Sequence, residues 1–171
     1  FIGTASIGFD HIDTDYCEAR NIHWANAPGC NANAVAQYVV SSILQFARKY
    51  NFNPAEKTIG IIGVGQVGQK VERYCRLLGM HVLLNDPPRA RNEGEKNFVS
   101  LDRILSDSDI ITLHPVLEKE GPDKTWHMAD SHFFDRLQKP AFLINTARGA
   151  IVDTQALKQN LQSGKIIDAA L

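Results

Sequence analysis

Three groups of residues in this sequence have types and spacing that could do chemistry. Gly63, Gly65 and Gly68 stand in Gly-x-Gly-x-x-Gly spacing within Gly60-Ile61-Ile62-Gly63-Val64-Gly65-Gln66-Val67-Gly68, after an apolar run and before a helical one. Each glycine has a physical task in such a turn: Gly63 permits the sharp bend, Gly65 lets backbone approach a pyrophosphate, and Gly68 lets helix and strand pack closely. The amides of Gln66 and Val67 would then face the phosphates, where unpaired N–H groups and the positive end of the helix dipole favour an anion. Asp86 ends the next apolar run, eighteen positions after Gly68. A carboxylate there accepts hydrogen bonds from ribose hydroxyls and repels a 2′-phosphate, so the pattern points to NAD rather than NADP. The nearby Arg89 reads either as a partner for such a phosphate or as a solvated loop charge.

The third group follows a later strand. In Leu143-Ile144-Asn145-Thr146-Ala147-Arg148-Gly149-Ala150-Ile151-Val152-Asp153, Arg148 comes just after a buried run. Ligands of open α/β sheets bind at that carboxyl edge, and a guanidinium there offers a planar fork to a carboxylate.

The elements that must position these groups alternate between short apolar runs and segments of helical period, the pattern of parallel strands joined by crossover helices. Strands are expected over Phe1 to Ala5, Ile22 to Asn26, Thr58 to Ile62, His81 to Asn85, Ile110 to Leu113, Ala141 to Asn145 and from Ile166. Between them, helices are expected from Asp13 to Asn21, from Asn31 or Asn33 to Tyr50, and over Gln66 to Leu78. Further helices fall near Leu101 to Leu105, over Asp130 to Leu137, and from Asp153 or Thr154. In the long second helix, Val35, Val39, Val40, Ile43, Leu44 and Ala47 would form the inward stripe. The strands are continuously apolar, as when helices cover both faces, so the expected fold is α/β with a doubly wound parallel sheet.

Composition narrows the partners. Eighteen Lys and Arg against nineteen Asp and Glu give a net charge of −1, which excludes the electrostatic footprint of a nucleic-acid binder or an anionic-membrane binder. Cys17, Cys30 and Cys75 are odd in number and widely spaced, and read as reduced thiols of a cytoplasmic protein. No run reaches the ~20 apolar residues that span a bilayer. His, Cys and acidic residues do not cluster, so no metal site is expected. The chain starts at Phe1 and stops in Ile166-Ile167-Asp168-Ala169-Ala170-Leu171, and reads as a piece of a longer protein.

Together, Gly8-Phe9-Asp10-His11-Ile12-Asp13, the glycine turn and Asn145 to Asp153 resemble the D-isomer-specific 2-hydroxyacid dehydrogenases over essentially the whole chain. Within that family, Ala27-Pro28-Gly29-Cys30-Asn31, Asn85-Asp86-Pro87-Pro88-Arg89 and His114 to Leu117 followed by Gly121-Pro122 are most similar to the branch that oxidises 4-phospho-D-erythronate. The resemblance implies NAD-dependent oxidation to 2-oxo-3-hydroxy-4-phosphobutanoate, a step toward pyridoxal phosphate. It implies that Arg148 grips the substrate carboxylate and takes part in catalysis, that Thr4 touches substrate, and that Pro115, Thr146, Ala147 and Arg148 line the cofactor. Pro115 departs from the threonine common there and lacks an amide to donate. The resemblance places the family's catalytic Glu and His beyond this chain, and none of the six histidines stands in for that base, His114 included. It implies a Rossmann-type NAD-binding domain over residues 30–171 and, over residues 1–29, the tail of a flavodoxin-like substrate domain. It also implies a homodimer formed through the helix from Asn33 to Tyr50, whose apolar stripe equally suits a buried core helix. A non-catalytic NAD sensor of the same fold, and a dehydrogenase of phosphoglycerate, glycerate or another 2-hydroxy acid, are the alternatives.

Overall fold

The computed structural model describes residues 1–171 apart from the side chain of Glu95. Seven strands and seven α-helices alternate along it: β1 (Ile2–Gly3), α1 (Thr14–Ala19), β2 (Trp24–Ala25), α2 (Ala32–Tyr50), β3 (Thr58–Ile62), α3 (Gln66–Leu77), β4 (His81–Asn85), α4 (Pro87–Glu93), α5 (Leu101–Asp107), β5 (Ile110–Leu113), α6 (Ser131–Asp135), β6 (Ala141–Asn145), α7 (Thr154–Gln162) and β7 (Ile166–Ala170). Strands β3 to β7 form one all-parallel sheet in the order β4-β3-β5-β6-β7, and β1 and β2 pair in parallel as a separate two-stranded ribbon. Successive residues of the large sheet's strands point to opposite faces, and both faces are covered. Ile59, Ile61, Phe142 and Ile144 pack with Val39, Ile43 and Phe46 of α2 and Val71 and Cys75 of α3. Ile62, Ile111, Leu113 and Leu143 pack on the other face with Ile104, Phe133, Phe134 and Leu157. This is the doubly wound arrangement expected of continuously apolar strands.

The order reverses direction between β3 and β5: the chain leaves β3 for β4 on one side, and β5 then returns to pair on the other. A crevice opens at the carboxyl ends of strands that part in this way.

Local signals explain most element starts. Asp13, Ser100, Asp130 and Asp153 each accept a backbone N–H of the helix that follows, which satisfies one orphan donor per helix. β1, β2 and α6 are shorter than their apolar and helical patterns suggest, at two, two and five residues, and two expectations change in kind. The segment after Asp86 is a helix, α4, rather than a loop: Pro87 and Pro88 occupy its first turn, where a missing N–H costs nothing, and Asp86 caps it by accepting the Arg89 N–H at 3.1 Å. In α2 the buried stripe is Ala32, Ala36, Val39, Ile43, Phe46 and Ala47, while Leu44 is 47% exposed. Leu44 sits about 100° around the helix from Ile43, outside the sector that meets the sheet. The end of α2 is fastened to β6 by aromatic packing, with Phe142 at 4.9 Å from Phe46 and 5.1 Å from Tyr50 between ring centroids. Among the described residues, no helix is long and apolar enough to cross a membrane.

Candidate functional site

The crevice at the sheet's carboxyl edge is a cavity of about 470 Å³. Three turns from the sheet and two segments from the ribbon wall it: Gly65 to Val67 after β3, His114 to Glu118 after β5, Thr146 to Arg148 after β6, Ile7 to Asp10 after β1, and Asn26 and Gly29 after β2, leading into Asn31 and Ala32 at the start of α2.

The three glycines divide their work. Gly63 has φ +85°, a left-handed conformation, and a Cβ there would overlap the backbone of His114 and Pro115. On Gly68 a Cβ would overlap the carbonyl oxygen of Gly63. Both are required for helix α3 and the β5 turn to close on β3. Gly65 differs: a Cβ there would meet nothing within 4 Å, and the residue lines the cavity. Gly65 caps α3 without a side-chain acceptor, and among the described residues the amides of Gln66 and Val67 have no acceptor. Open space in front of unpaired first-turn amides is what a pyrophosphate needs, so these residues fit a dinucleotide.

Asp86 supports this turn from behind. Its Oδ2 accepts the Val64 N–H at 2.8 Å while its Oδ1 caps α4. Both oxygens therefore carry backbone hydrogen bonds, leaving their second lone pairs for hydroxyl donors. Arg89 is not a solvated loop charge. It lies half-buried on α4, donating from Nη1 to the Val64 carbonyl and from Nε and Nη2 to Glu93.

Arg148 stands where expected, at the carboxyl end of β6. Asn145, buried at the end of that strand, pins the turn by accepting the Ala147 N–H at 3.1 Å and donating to the Arg148 carbonyl at 2.8 Å. The guanidinium reaches across the cavity to the ribbon, where Nε donates to both Asp10 oxygens (3.0 and 3.2 Å) and Nη2 donates to Oδ1 at 2.8 Å. A fourth bond runs from Nη1 to the Ala147 carbonyl at 2.9 Å. Gly8 lies directly under the guanidinium, and any Cβ there would overlap Nη2. The hydrogen bonds from Arg148 hold the Asp10 carboxyl below the usual carboxylate range. Of the five guanidinium N–H groups, one on each terminal nitrogen is left for a ligand.

His114 ties the two central turns together. Thr112 Oγ1 lies 2.9 Å from its Nε2 and Thr146 Oγ1 lies 2.9 Å from its Nδ1. Desolvation pushes its pKa down to about 4, so the ring is neutral near pH 7, with one nitrogen donating and the other accepting. With both nitrogens engaged, His114 is a strut between β5 and β6 and not a proton acceptor. A pH dependence follows from the lowered value. Unfolded, His114 takes up its proton near 6.5, and folded only near 4. Stability conferred by the neutral ring is therefore present above 6.5 and is lost as pH falls toward 4, by no more than about 3 kcal/mol. Thermal denaturation of wild type and His114→Gln across this window is expected to show a flatter profile for the variant.

Of the residues singled out in the sequence, Gly65, Gln66, Val67, Pro115, Thr146, Ala147 and Arg148 line the one cavity. Gly63, Gly68 and Asp86 form the frame behind it. Thr4 does not line the cavity: its hydroxyl lies 3.0 Å from that of Ser6, which in turn donates to the Gly8 carbonyl at 2.9 Å. It shapes the turn that carries Gly8 and Asp10. Asp10 and Asn145 also belong to the site; both lie inside the motifs Gly8 to Asp13 and Asn145 to Asp153, but their partners are fixed only by the fold.

The sequence model described as "D-isomer specific 2-hydroxyacid dehydrogenase, NAD binding domain" matches residues 31–171. Erythronate-4-phosphate dehydrogenase of Bacteroides thetaiotaomicron is 53% identical over 171 residues, covering 100% of this chain and 49% of the relative. The enzyme of the same name from Salinibacter ruber is 46% identical over 175 residues, covering 100% of this chain and 45% of the relative. This chain therefore spans about half the length of these relatives. Among solved structures, D-lactate dehydrogenase from Aquifex aeolicus complexed with NAD and lactic acid superposes with a TM-score of 0.81 at 34% identity, over 98% of this chain and 56% of that one. The NAD-dependent formate dehydrogenase from Staphylococcus aureus in complex with NAD gives a TM-score of 0.80 at 30% identity, over 98% and 55%. With its doubly wound sheet, its glycine turn and a match that runs through residue 171, the chain belongs to the D-isomer specific 2-hydroxyacid dehydrogenase family and carries that family's NAD-binding domain.

Proposed function

We propose that this chain is the cofactor-binding part of an NAD-dependent dehydrogenase that oxidises 4-phospho-D-erythronate to 2-oxo-3-hydroxy-4-phosphobutanoate, a step toward pyridoxal phosphate. The observation that carries the reading is the placement of Arg148 and the open Gly65 turn in the walls of one cavity. Bound there, NAD would supply the acceptor for the hydride that leaves C2. The chain's own residues bind and orient. Gln66 and Val67 present amides to the pyrophosphate, and Asp86 offers its remaining lone pairs to the ribose hydroxyls. Pro115, Thr146 and Ala147 form the wall along the cofactor. Arg148, steadied by Asp10, turns its two remaining N–H groups toward the substrate carboxylate. His114 is excluded as the base by its engaged nitrogens. Likeness to the family assigns the acceptor of the hydroxyl proton to a residue outside 1–171. The substrate assignment is supported by relatives of about half identity that bear the erythronate-4-phosphate dehydrogenase name.

The same reading assigns residues 1–29 to the substrate domain and 30–171 to the cofactor domain, in line with the separate β1–β2 ribbon. It also assigns the protein to the cytoplasm as a homodimer, in line with three free thiols and with Tyr38 and Leu44 left exposed on α2.

Calorimetric titration with NAD and NADP, followed by turnover of 4-phospho-D-erythronate by the full-length protein, tests the proposal. Micromolar-range NAD binding and reduction of NAD by this substrate are expected. Turnover of 3-phosphoglycerate in its place would overturn the substrate assignment alone, and absence of NAD binding would overturn the whole reading.

A further inference from the structure

The edge of the glycine turn where the ribose would lie carries a guanidinium among carboxylates. Arg89 donates from Nε to Glu93 Oε1 and from Nη2 to Glu93 Oε2, each at 2.7 Å, while Nη1 is held by the Val64 carbonyl. The ring of Phe98 lies 5.4 Å from the guanidinium carbon. Val64 is the residue whose N–H Asp86 accepts, so Arg89 sits on the same residue as the ribose-facing carboxylate. Glu72 stands close enough to act on Arg89 electrostatically, and is itself paired with Arg76 at 3.0 Å. Three carboxylates, Glu93, Asp86 and Glu72, thus act on the one Arg89 guanidinium.

A phosphate and a carboxylate make the same demand on arginine: two oxygens in the plane of a two-donor fork. In this chain the Nε and Nη2 fork is already filled, by a carboxylate one helical turn along the same helix. The Arg89 that the sequence leaves available to a 2′-phosphate is spoken for in the fold.

We infer that Glu93 is a coenzyme-specificity residue acting through Arg89: by occupying the Nε/Nη2 fork it withholds this guanidinium from a ribose 2′-phosphate and adds to the discrimination against NADP made by Asp86. The inference rests on the cofactor reading above. Both Glu93 oxygens are committed to Arg89 and not to the ribose hydroxyls or the pyrophosphate, so its removal changes NADP binding and leaves NAD binding alone. A merely structural role would move the two together.

Titration of wild type, Glu93→Gln and Glu93→Ala with NAD and NADP, with melting temperatures in parallel, tests this. Both variants are expected to bind NADP about tenfold more tightly than wild type, with NAD affinity within about twofold. In the double variant Arg89→Ala/Glu93→Gln the gain is expected to vanish, which isolates the route through the guanidinium. Unchanged NADP affinity in both single variants, with NAD still bound, overturns the inference and leaves the cofactor reading standing. A gain that survives in the double variant overturns the route through Arg89. Failure of the wild type to bind NAD overturns the cofactor reading and this inference with it.

Discussion

Gly65→Val is expected to cost at least about a hundredfold in NAD affinity, about 2.7 kcal/mol, with the melting temperature nearly unchanged. The backbone of Gly65 (φ −78°, ψ −152°) is extended, so a β-branched residue adopts it without strain, and a Cβ there meets nothing within 4 Å. An added side chain removes no packing and creates no clash, and the change in folding stability should stay within about 0.5 kcal/mol. It would, however, fill the space in front of the Gln66 and Val67 amides, where the pyrophosphate must approach. The neighbouring glycines should behave in the opposite way. Gly68→Ala drives a methyl into the Gly63 carbonyl, and Gly63→Ala combines a backbone overlap with a left-handed φ of +85°. Both should lower the melting temperature first and NAD binding as a consequence. Calorimetry for affinity and scanning fluorimetry for stability separate the two classes. Wild-type NAD affinity in Gly65→Val would show that the pyrophosphate does not lie over this turn.

For Arg148→Ala in the full-length protein, kcat/KM for the hydroxy acid is expected to fall by about 10²- to 10⁴-fold, the loss of two charge-assisted hydrogen bonds of about 1.5–3 kcal/mol each. NAD affinity should fall much less than this, because Arg148 lines the cavity at one end while the pyrophosphate turn stands on a different strand end. Arg148→Lys keeps the charge and loses the fork, so it should recover only a small part of the activity. Asp10→Asn keeps the shape of the partner and removes its charge. The guanidinium is then less firmly aimed, and KM should rise with a smaller effect on kcat. Steady-state kinetics with NAD held saturating measures all three. Equal losses of NAD and substrate affinity in Arg148→Ala would mean that the residue holds the turn rather than the substrate.

These two residues also show where sequence reading succeeds. The strands Thr58–Ile62, His81–Asn85, Ile110–Leu113 and Ala141–Asn145 were legible to the residue because a strand buried on both faces is an uninterrupted apolar run bounded by polar or glycine residues. The glycine turn was legible because its spacing follows from local backbone geometry. The helix α4 was hidden by Pro87-Pro88, which reads as a break, although an aspartate before a proline is also the signature of a capped helix start. Leu44 was placed inward because a helical stripe in sequence is wider than the sector a flat sheet can cover.

What the sequence by itself determined is therefore local: the caps, the strand runs, the glycines whose bends and close approaches involve near neighbours, and the family to which these motifs belong. The tertiary structure alone decided the pairings between distant residues. Arg148 meets an aspartate 138 positions earlier, His114 spans a threonine of β5 and one in the turn after β6, and Asp86 and Arg89 share Val64. Each of these partners is brought into reach by the strand order β4-β3-β5-β6-β7 and by the ribbon folded over its carboxyl edge. A hydrogen bond depends on separations of about 3 Å, which residue type and spacing do not encode until the sheet is assembled.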